Sequence, residues 1–89
     1  MVSYKVKIKT SAQKEIRKLP NKDVRAKVVD IIDALEYNPF PEESKKIKGS
    51  NNIYRIRYGV YRVVYAVYKN ELLVLVVRVQ HRKEVYRNL

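Results

Sequence analysis

Three arginines, Arg55, Arg57 and Arg62, lie close together in a segment that is rich in Tyr, Val and Ile. The Gly59-Val60 pair between them is typical of a two-residue hairpin turn, because glycine supplies the positive φ that a type II′ turn needs. In that hairpin Arg57 faces Arg62, and Arg55 lies on the same face, opposite Val64. Like charges that face each other across strands destabilise a sheet. The clustering therefore indicates that an anion binds there.

Arginine, lysine, tyrosine and the single histidine, His81, could cleave RNA without a metal. RNA carries its own nucleophile, the 2′-hydroxyl, so the protein has to accept its proton, stabilise charge at phosphorus and protonate the leaving 5′-oxygen. The planar fork of arginine binds phosphate oxygens in pairs. A phenol among guanidiniums has a lowered pKa and could act as the base, and a histidine could act as base or acid.

Other chemistries lack their residues. The chain has one histidine and no cysteine, and only Glu71 and Glu84 supply carboxylates after residue 43. Zinc sites, two-metal sites and carboxylate pairs for glycoside hydrolysis are therefore not expected. The two glycines, Gly49 and Gly59, do not form a phosphate-binding loop. We expect neither a metal nor another cofactor.

The net charge of +11 is unevenly distributed along the chain. Residues 1–43 hold nine Lys and Arg against seven Asp and Glu, whereas residues 44–89 hold eleven against two. Such an asymmetry is typical of a face that binds nucleic acid. The N-terminus lacks the apolar segment of a signal peptide, and the longest apolar run is too short to span a membrane. We expect a cytoplasmic protein without a membrane partner.

The elements that would position these residues can be predicted from periodicity. Thr10 and Gln13 resemble a capping box, Asn21 can cap a second helix, and residues 40–52 are predicted to be a loop. The predicted elements are a strand over Ser3–Lys9, a helix from Thr10 to Leu19, a helix after Asn21 that ends before Pro39, the hairpin strands Ile53–Tyr58 and Tyr61–Tyr68, and a strand over Leu72–Val79.

These elements predict one α+β domain over residues 1–89, with the order βααβββ and a short C-terminal helical tail. A hairpin of two antiparallel helices would pack on one face of a mostly antiparallel four-stranded sheet. The opposite face would form the basic surface. The hairpin tyrosines are expected to pack in the core and on the sheet rather than to stack on bases: Tyr54, Tyr58, Tyr61 and Tyr65.

Three segments, Lys45–Gly49, Tyr54–Tyr65 and His81–Tyr86, resemble the RelE branch of the RelE/ParE toxin superfamily, whose members belong to type II toxin–antitoxin systems. The hairpin is shared by the whole superfamily, and the basic tail that ends in tyrosine points to the ribonuclease branch. The resemblance covers the whole chain in length and element order. It implies a toxin that enters the ribosomal A site and cleaves messenger RNA by 2′-hydroxyl attack.

The resemblance also implies roles for individual residues. Arg62 would stabilise charge on the phosphate, Arg82 would act near the leaving group, and Tyr86 would orient, stack on or deprotonate the substrate. The base is left open between Tyr86 and His81, because Arg55 and Arg57 stand where some relatives have lysines and arginine is a poor base. The expected RNA- and phosphate-binding residues are Arg55, Arg57, Lys45, Lys46 and Lys48.

An acidic, RelB-like antitoxin, the ribosome and messenger RNA are the partners that the resemblance implies. Two other functions are compatible with the sequence. One is a ParE-like inhibitor of DNA gyrase, which shares the fold without needing the Arg82 and Tyr86 tail. The other is a basic RNA-binding module without catalytic activity.

Overall fold

A computed structural model describes residues 2–81. Two helices pack on one face of a five-stranded mixed sheet, as the predicted α+β class requires. The elements are β1 (Lys5–Ile8), α1 (Thr10–Arg17), α2 (Lys22–Ala34), β2 (Ser44–Lys46), β3 (Ile53–Tyr58), β4 (Tyr61–Tyr68) and β5 (Leu73–His81). The predicted helical tail lies outside the described residues. No helix within residues 2–81 is long and apolar enough to cross a membrane.

The strand order is β1-β5-β4-β3-β2, and all neighbouring pairs are antiparallel except β1 with β5. The sheet has one strand more than predicted, because Ser44–Lys46 of the expected loop pairs with β3 as a short edge strand. A segment of three residues is too short for an alternation of polar and apolar side chains to indicate a strand. β1 is the other edge, and its exposed Lys5 and Lys7 are the charged side chains that discourage pairing with another chain.

The helices begin and end where local chemistry allows. Asn21 caps α2 as predicted, since its side-chain oxygen accepts hydrogen bonds from the backbone N–H groups of Asp23 (2.7 Å) and Val24 (3.3 Å). The capping box predicted at Thr10 is wrong: Thr10 is already helical, and no side chain caps α1. The Gln13 side chain instead donates to the carbonyl oxygen of Ile8 at 2.8 Å. α1 ends at Arg17, two residues before the predicted end.

The core lies between the helices and one face of the sheet, which we call the helix face. The buried side chains of this core are Ala12, Ile16, Leu19, Val28, Ile32, Leu35, Ile56, Val63, Tyr65, Val67, Val74, Val76 and Val79. The predicted apolar stripe of α2 supplies three of them, and Val24 and Ile31 pack against the cluster. By strand alternation, the residues between these sheet positions point to the opposite face.

β5 differs from its predicted bounds at both ends. Leu72, the expected first residue, has a left-handed φ of 51° and closes the turn that precedes the strand. At the other end the strand continues through Gln80 to His81, so His81 belongs to the sheet and not to the tail. A bulge between β4 and β5, at Val64/Tyr65, shifts the register and sets which face each later residue of β5 occupies.

Candidate nucleic-acid interface

The hairpin of β3 and β4 has the register that the sequence predicts. Tyr58 pairs with Tyr61, Arg57 with Arg62 and Arg55 with Val64. Gly59 has a positive φ of 59°, as the first central position of a type II′ turn requires. Because Ile56 and Val63 are buried on the helix face, the three arginines project from the other face.

We call this second face the basic face, and its polar residues lie in two rows across the strands, the second of which also includes Val64. The first row runs Arg57, Arg62, Gln80 over β3, β4 and β5. The second row runs Lys45, Arg55, Val64, Arg78 over β2 to β5. Residues that are direct partners across strands have Cβ atoms about 4.5–5.5 Å apart. The two rows lie about 7 Å apart along the strands, since each is two residues from the other.

The two rows differ in how their charge is balanced. In the second row, Arg78 forms an ion pair with Glu15 of α1, with 3.0 Å between Nη2 and Oε2. In the first row, neither Arg57 nor Arg62 has a carboxylate partner within residues 2–81. Arg62 is half-buried, and Arg57 is exposed. A partly buried guanidinium without a counter-ion is unfavourable for folding alone. An anion should therefore bind more favourably at the first row than at the second.

The register separates lysines that are neighbours in sequence. Lys45 pairs with Arg55 and therefore lies on the basic face, whereas Lys46 pairs with Tyr54 and lies on the opposite side. Lys48 is exposed in the turn after β2. Of the three predicted phosphate-binding lysines, the sheet thus brings only Lys45 into a row with the arginines.

His81 is also separated from the arginine cluster. It pairs with Tyr61, whose ring packs against the core, and the two rings meet edge to face at 5.4 Å between centroids. The residue that pairs with Arg62 is Gln80. The sequence prediction overlooked Gln80 because the end of β5 and its bulge were not foreseen. The predicted Arg82 and Tyr86 lie outside the described residues.

The hairpin tyrosines pack as predicted. Tyr65 is fully buried, and its hydroxyl donates a hydrogen bond to the carbonyl oxygen of Pro39 at 2.8 Å. Tyr54 stacks on Tyr65 with 6.0 Å between ring centroids, and Phe40 meets Tyr54 edge to face. Burial raises the pKa of the Tyr65 phenol to about 12. Tyr65 is therefore a structural residue and an unsuitable base.

A sheet face with two basic rows, on a small α+β domain, agrees with the toxin superfamily that the sequence resembles. The family model described as the ParE toxin of type II toxin–antitoxin systems matches residues 6–86. The chain belongs to this family, within the RelE/ParE superfamily, and its relatives place it in the RelE branch.

Three relatives, one of them curated and two with solved structures, resemble nine-tenths or more of the chain. A protein of Methanocaldococcus jannaschii, provisionally named toxin RelE1, is 30% identical over 90 residues, which cover 98% of this chain and 99% of the relative. The RelE of an archaeal RelE–RelB complex from Pyrococcus horikoshii is 32% identical, with a TM-score of 0.79, over 90% of this chain and 96% of that chain. The isolated RelE toxin of E. coli has a TM-score of 0.77 and 27% identity, over 98% of this chain and 100% of that chain.

Proposed function

We propose that this protein is the toxin of a toxin–antitoxin pair and a ribosome-dependent endonuclease of messenger RNA that acts in the cytoplasm. The observation that carries the proposal is the first row of the basic face, where Arg57 and Arg62 are cross-strand partners without a carboxylate partner among residues 2–81. Paired guanidiniums of this kind suit a phosphodiester whose charge increases during the reaction. The RelE relatives support the same assignment.

In the proposed reaction the 2′-hydroxyl oxygen attacks the adjacent phosphorus and the bond from phosphorus to the 5′-oxygen breaks. The 2′-hydroxyl proton passes to a base, and a proton passes to the leaving 5′-oxygen, which gives a 2′,3′-cyclic phosphate and a 5′-hydroxyl. Arg62 stabilises the charge on the non-bridging oxygens, with Arg57 beside it. The roles of Arg82 near the leaving group, and of Tyr86 or His81 as base, are part of this proposal.

The proposed protein partner, which would hold the toxin inactive, is an acidic antitoxin. RelE relatives have been solved in complex with RelB, from Pyrococcus horikoshii and from Mycobacterium tuberculosis. Residues 44–89 of this chain carry eleven Lys and Arg against two Asp and Glu, so a partner of opposite charge would associate quickly and with strong salt dependence.

Purified 70S ribosomes with a bound messenger test the proposal. We expect cuts at fixed positions relative to the codon in the A site, and no cuts in the same messenger without ribosomes. Inhibition of gyrase supercoiling by the same preparation, without cleavage, would instead support the ParE-like alternative, since the matching family is named after the ParE toxin. Ribosome binding without either activity would reduce the protein to an RNA-binding module.

A further inference from the structure

Gln80 occupies the third position of the first row, where the sequence prediction placed no functional residue. It is the direct cross-strand partner of Arg62, which in turn pairs with Arg57. β1 pairs only with Leu73–Val76 of β5, so within residues 2–81 no strand lies beyond Gln80 at this edge of the sheet. The row thus consists of two guanidiniums followed by one neutral amide.

The burial of Gln80 shows where its amide group lies. The residue is only 9% exposed, and no hydrogen bond joins its amide to another residue of the described part of the chain. Within residues 2–81, however, no fully buried side-chain nitrogen or oxygen lacks a partner. The carbon stem of Gln80 is therefore enclosed while the amide tip retains contact with solvent, on the face that carries Arg62.

The backbone next to Gln80 is held in place by α1. The Glu15 carboxylate accepts a hydrogen bond from the backbone N–H of Val79 at 2.8 Å and pairs with the Arg78 guanidinium. This carboxylate fixes β5 one residue before Gln80 and neutralises Arg78. The Gln80 amide consequently projects from a fixed strand, and the Glu15 carboxylate at this edge is already engaged.

We propose that Gln80 is a substrate-binding residue of the first row, and that its Nε2–H group donates a hydrogen bond to a non-bridging oxygen of the phosphodiester that Arg62 binds. The inference rests on the proposed function, since it takes the substrate to be the RNA backbone. A neutral donor fits this position because a carboxylate there would pair with Arg62 and exclude the phosphate, whereas a third guanidinium would add repulsion.

The amide signals of the two glutamines in this chain make a direct test possible by NMR of the full-length protein. The probe is a 2′-O-methylated RNA trinucleotide, which has phosphodiesters but no 2′-hydroxyl nucleophile. On titration, the side-chain amide of Gln80 and the Nε–H of Arg62 should shift together. Gln13 of α1, whose amide donates to the carbonyl oxygen of Ile8 at the end of β1, is the internal control, and its signal should not move.

Variants at Gln80 connect binding with chemistry. Gln80→Met keeps the volume but removes the donor, and should lower the single-turnover cleavage rate on saturating ribosomes about 10-fold. Gln80→Glu should lower it further while raising the Tm, because the new carboxylate pairs with Arg62. Gln13→Met, which removes the same amide away from the row, should cleave at the parental rate.

The outcomes separate this inference from the proposed function. A shift at Arg62 without a shift at Gln80, or a parental cleavage rate for Gln80→Met, would overturn the role of Gln80 and leave the toxin assignment intact. Joint shifts in a protein that does not cleave messenger RNA would support the Gln80 contact and contradict the proposed activity.

Discussion

The two faces of the sheet are formed by the same strands but differ in their side chains, since one face is apolar and buried and the other is basic. On the helix face, Ile56, Val63 and Tyr65 are buried under α1 and α2, and the buried Tyr65 hydroxyl is hydrogen-bonded. On the basic face, Arg57 and Arg62 lie opposite each other without a carboxylate partner in the part of the chain that the structure describes. One face is arranged for stability, whereas the other carries charge that is unfavourable for folding alone, as the proposed RNA-binding site would require.

This comparison predicts that substitutions on the two faces have separable effects. Changes on the helix face should lower the free energy of unfolding and leave the activity of each folded molecule unchanged. Changes on the basic face should weaken RNA binding or cleavage without lowering the free energy of unfolding.

The largest stability effect is expected in the core between α2 and the sheet. Leu35 is fully buried, and Leu35→Ala should lower the free energy of unfolding by about 2–5 kcal/mol, because it removes packed methyl groups and leaves a cavity. Denaturant unfolding measures this loss. Leu72→Ala is the control, since Leu72 is 41% exposed and should change stability by less than about 0.5 kcal/mol. Equal effects of the two substitutions would contradict the assigned core.

Tyr65→Phe should destabilise the protein at pH 7 by about 1–2 kcal/mol, because the buried Pro39 carbonyl oxygen loses its donor. The loss should shrink above pH 10. Burial raises the pKa of Tyr65 to about 12, so between pH 10 and 12 the folded state retains a proton that the unfolded chain releases, and the parent loses stability with rising pH. The variant lacks this contribution. A difference in unfolding free energy that stays constant from pH 8 to 12 would disprove the assignment.

Glu15 lies where α1 meets the edge of β5. Glu15→Gln should lower the free energy of unfolding by about 1 kcal/mol, because it removes the charge that pairs with Arg78 and weakens the bond from the Val79 N–H. Asp33→Asn on the exposed side of α2 removes the same charge and serves as the control. The effect of Glu15→Gln should disappear in the background of Arg78→Ala except for the Val79 contribution. An unchanged effect there would show that the ion pair contributes nothing.

The smallest effect distinguishes two adjacent lysines. Lys45→Ala should weaken ribosome binding and lower the salt slope of binding by about 1, because Lys45 stands in the second row beside Arg55. Lys46→Ala removes the same charge from the other side of β2 and should change the slope less. Both variants should retain the parental single-turnover rate at saturation. Identical slopes for the two variants would mean that the face on which a lysine lies does not decide whether it contacts the ribosome.

Much of the fold could be predicted from the sequence, because the patterns involved are local. The hairpin register follows from alternation and from Gly59-Val60, and the α2 stripe and its Asn21 cap follow from spacing and side-chain chemistry. The positive charge of residues 44–89 and the arginine cluster could likewise be predicted without tertiary information.

The remaining features depend on contacts between distant segments. The pairing of Ser44–Lys46 with β3 joins residues that have no strand periodicity of their own. The bulge between β4 and β5 determines that Gln80, and not His81, faces the arginine row. A shift of one residue reverses every later side chain of a strand, so this part of the candidate site could not be assigned without the sheet register.

The central claim is that the first row stabilises charge in the transition state, and Arg62→Ala tests it most directly. Single-turnover cleavage on saturating, messenger-programmed ribosomes should slow about 100-fold or more, which corresponds to about 2.7–4 kcal/mol of lost transition-state stabilisation, while ribosome binding weakens only slightly. Arg17→Ala, which removes an exposed arginine from α1, should cleave at the parental rate. If Arg62→Ala cleaves as fast as the parent, Arg62 is a structural arginine and the proposed site is wrong.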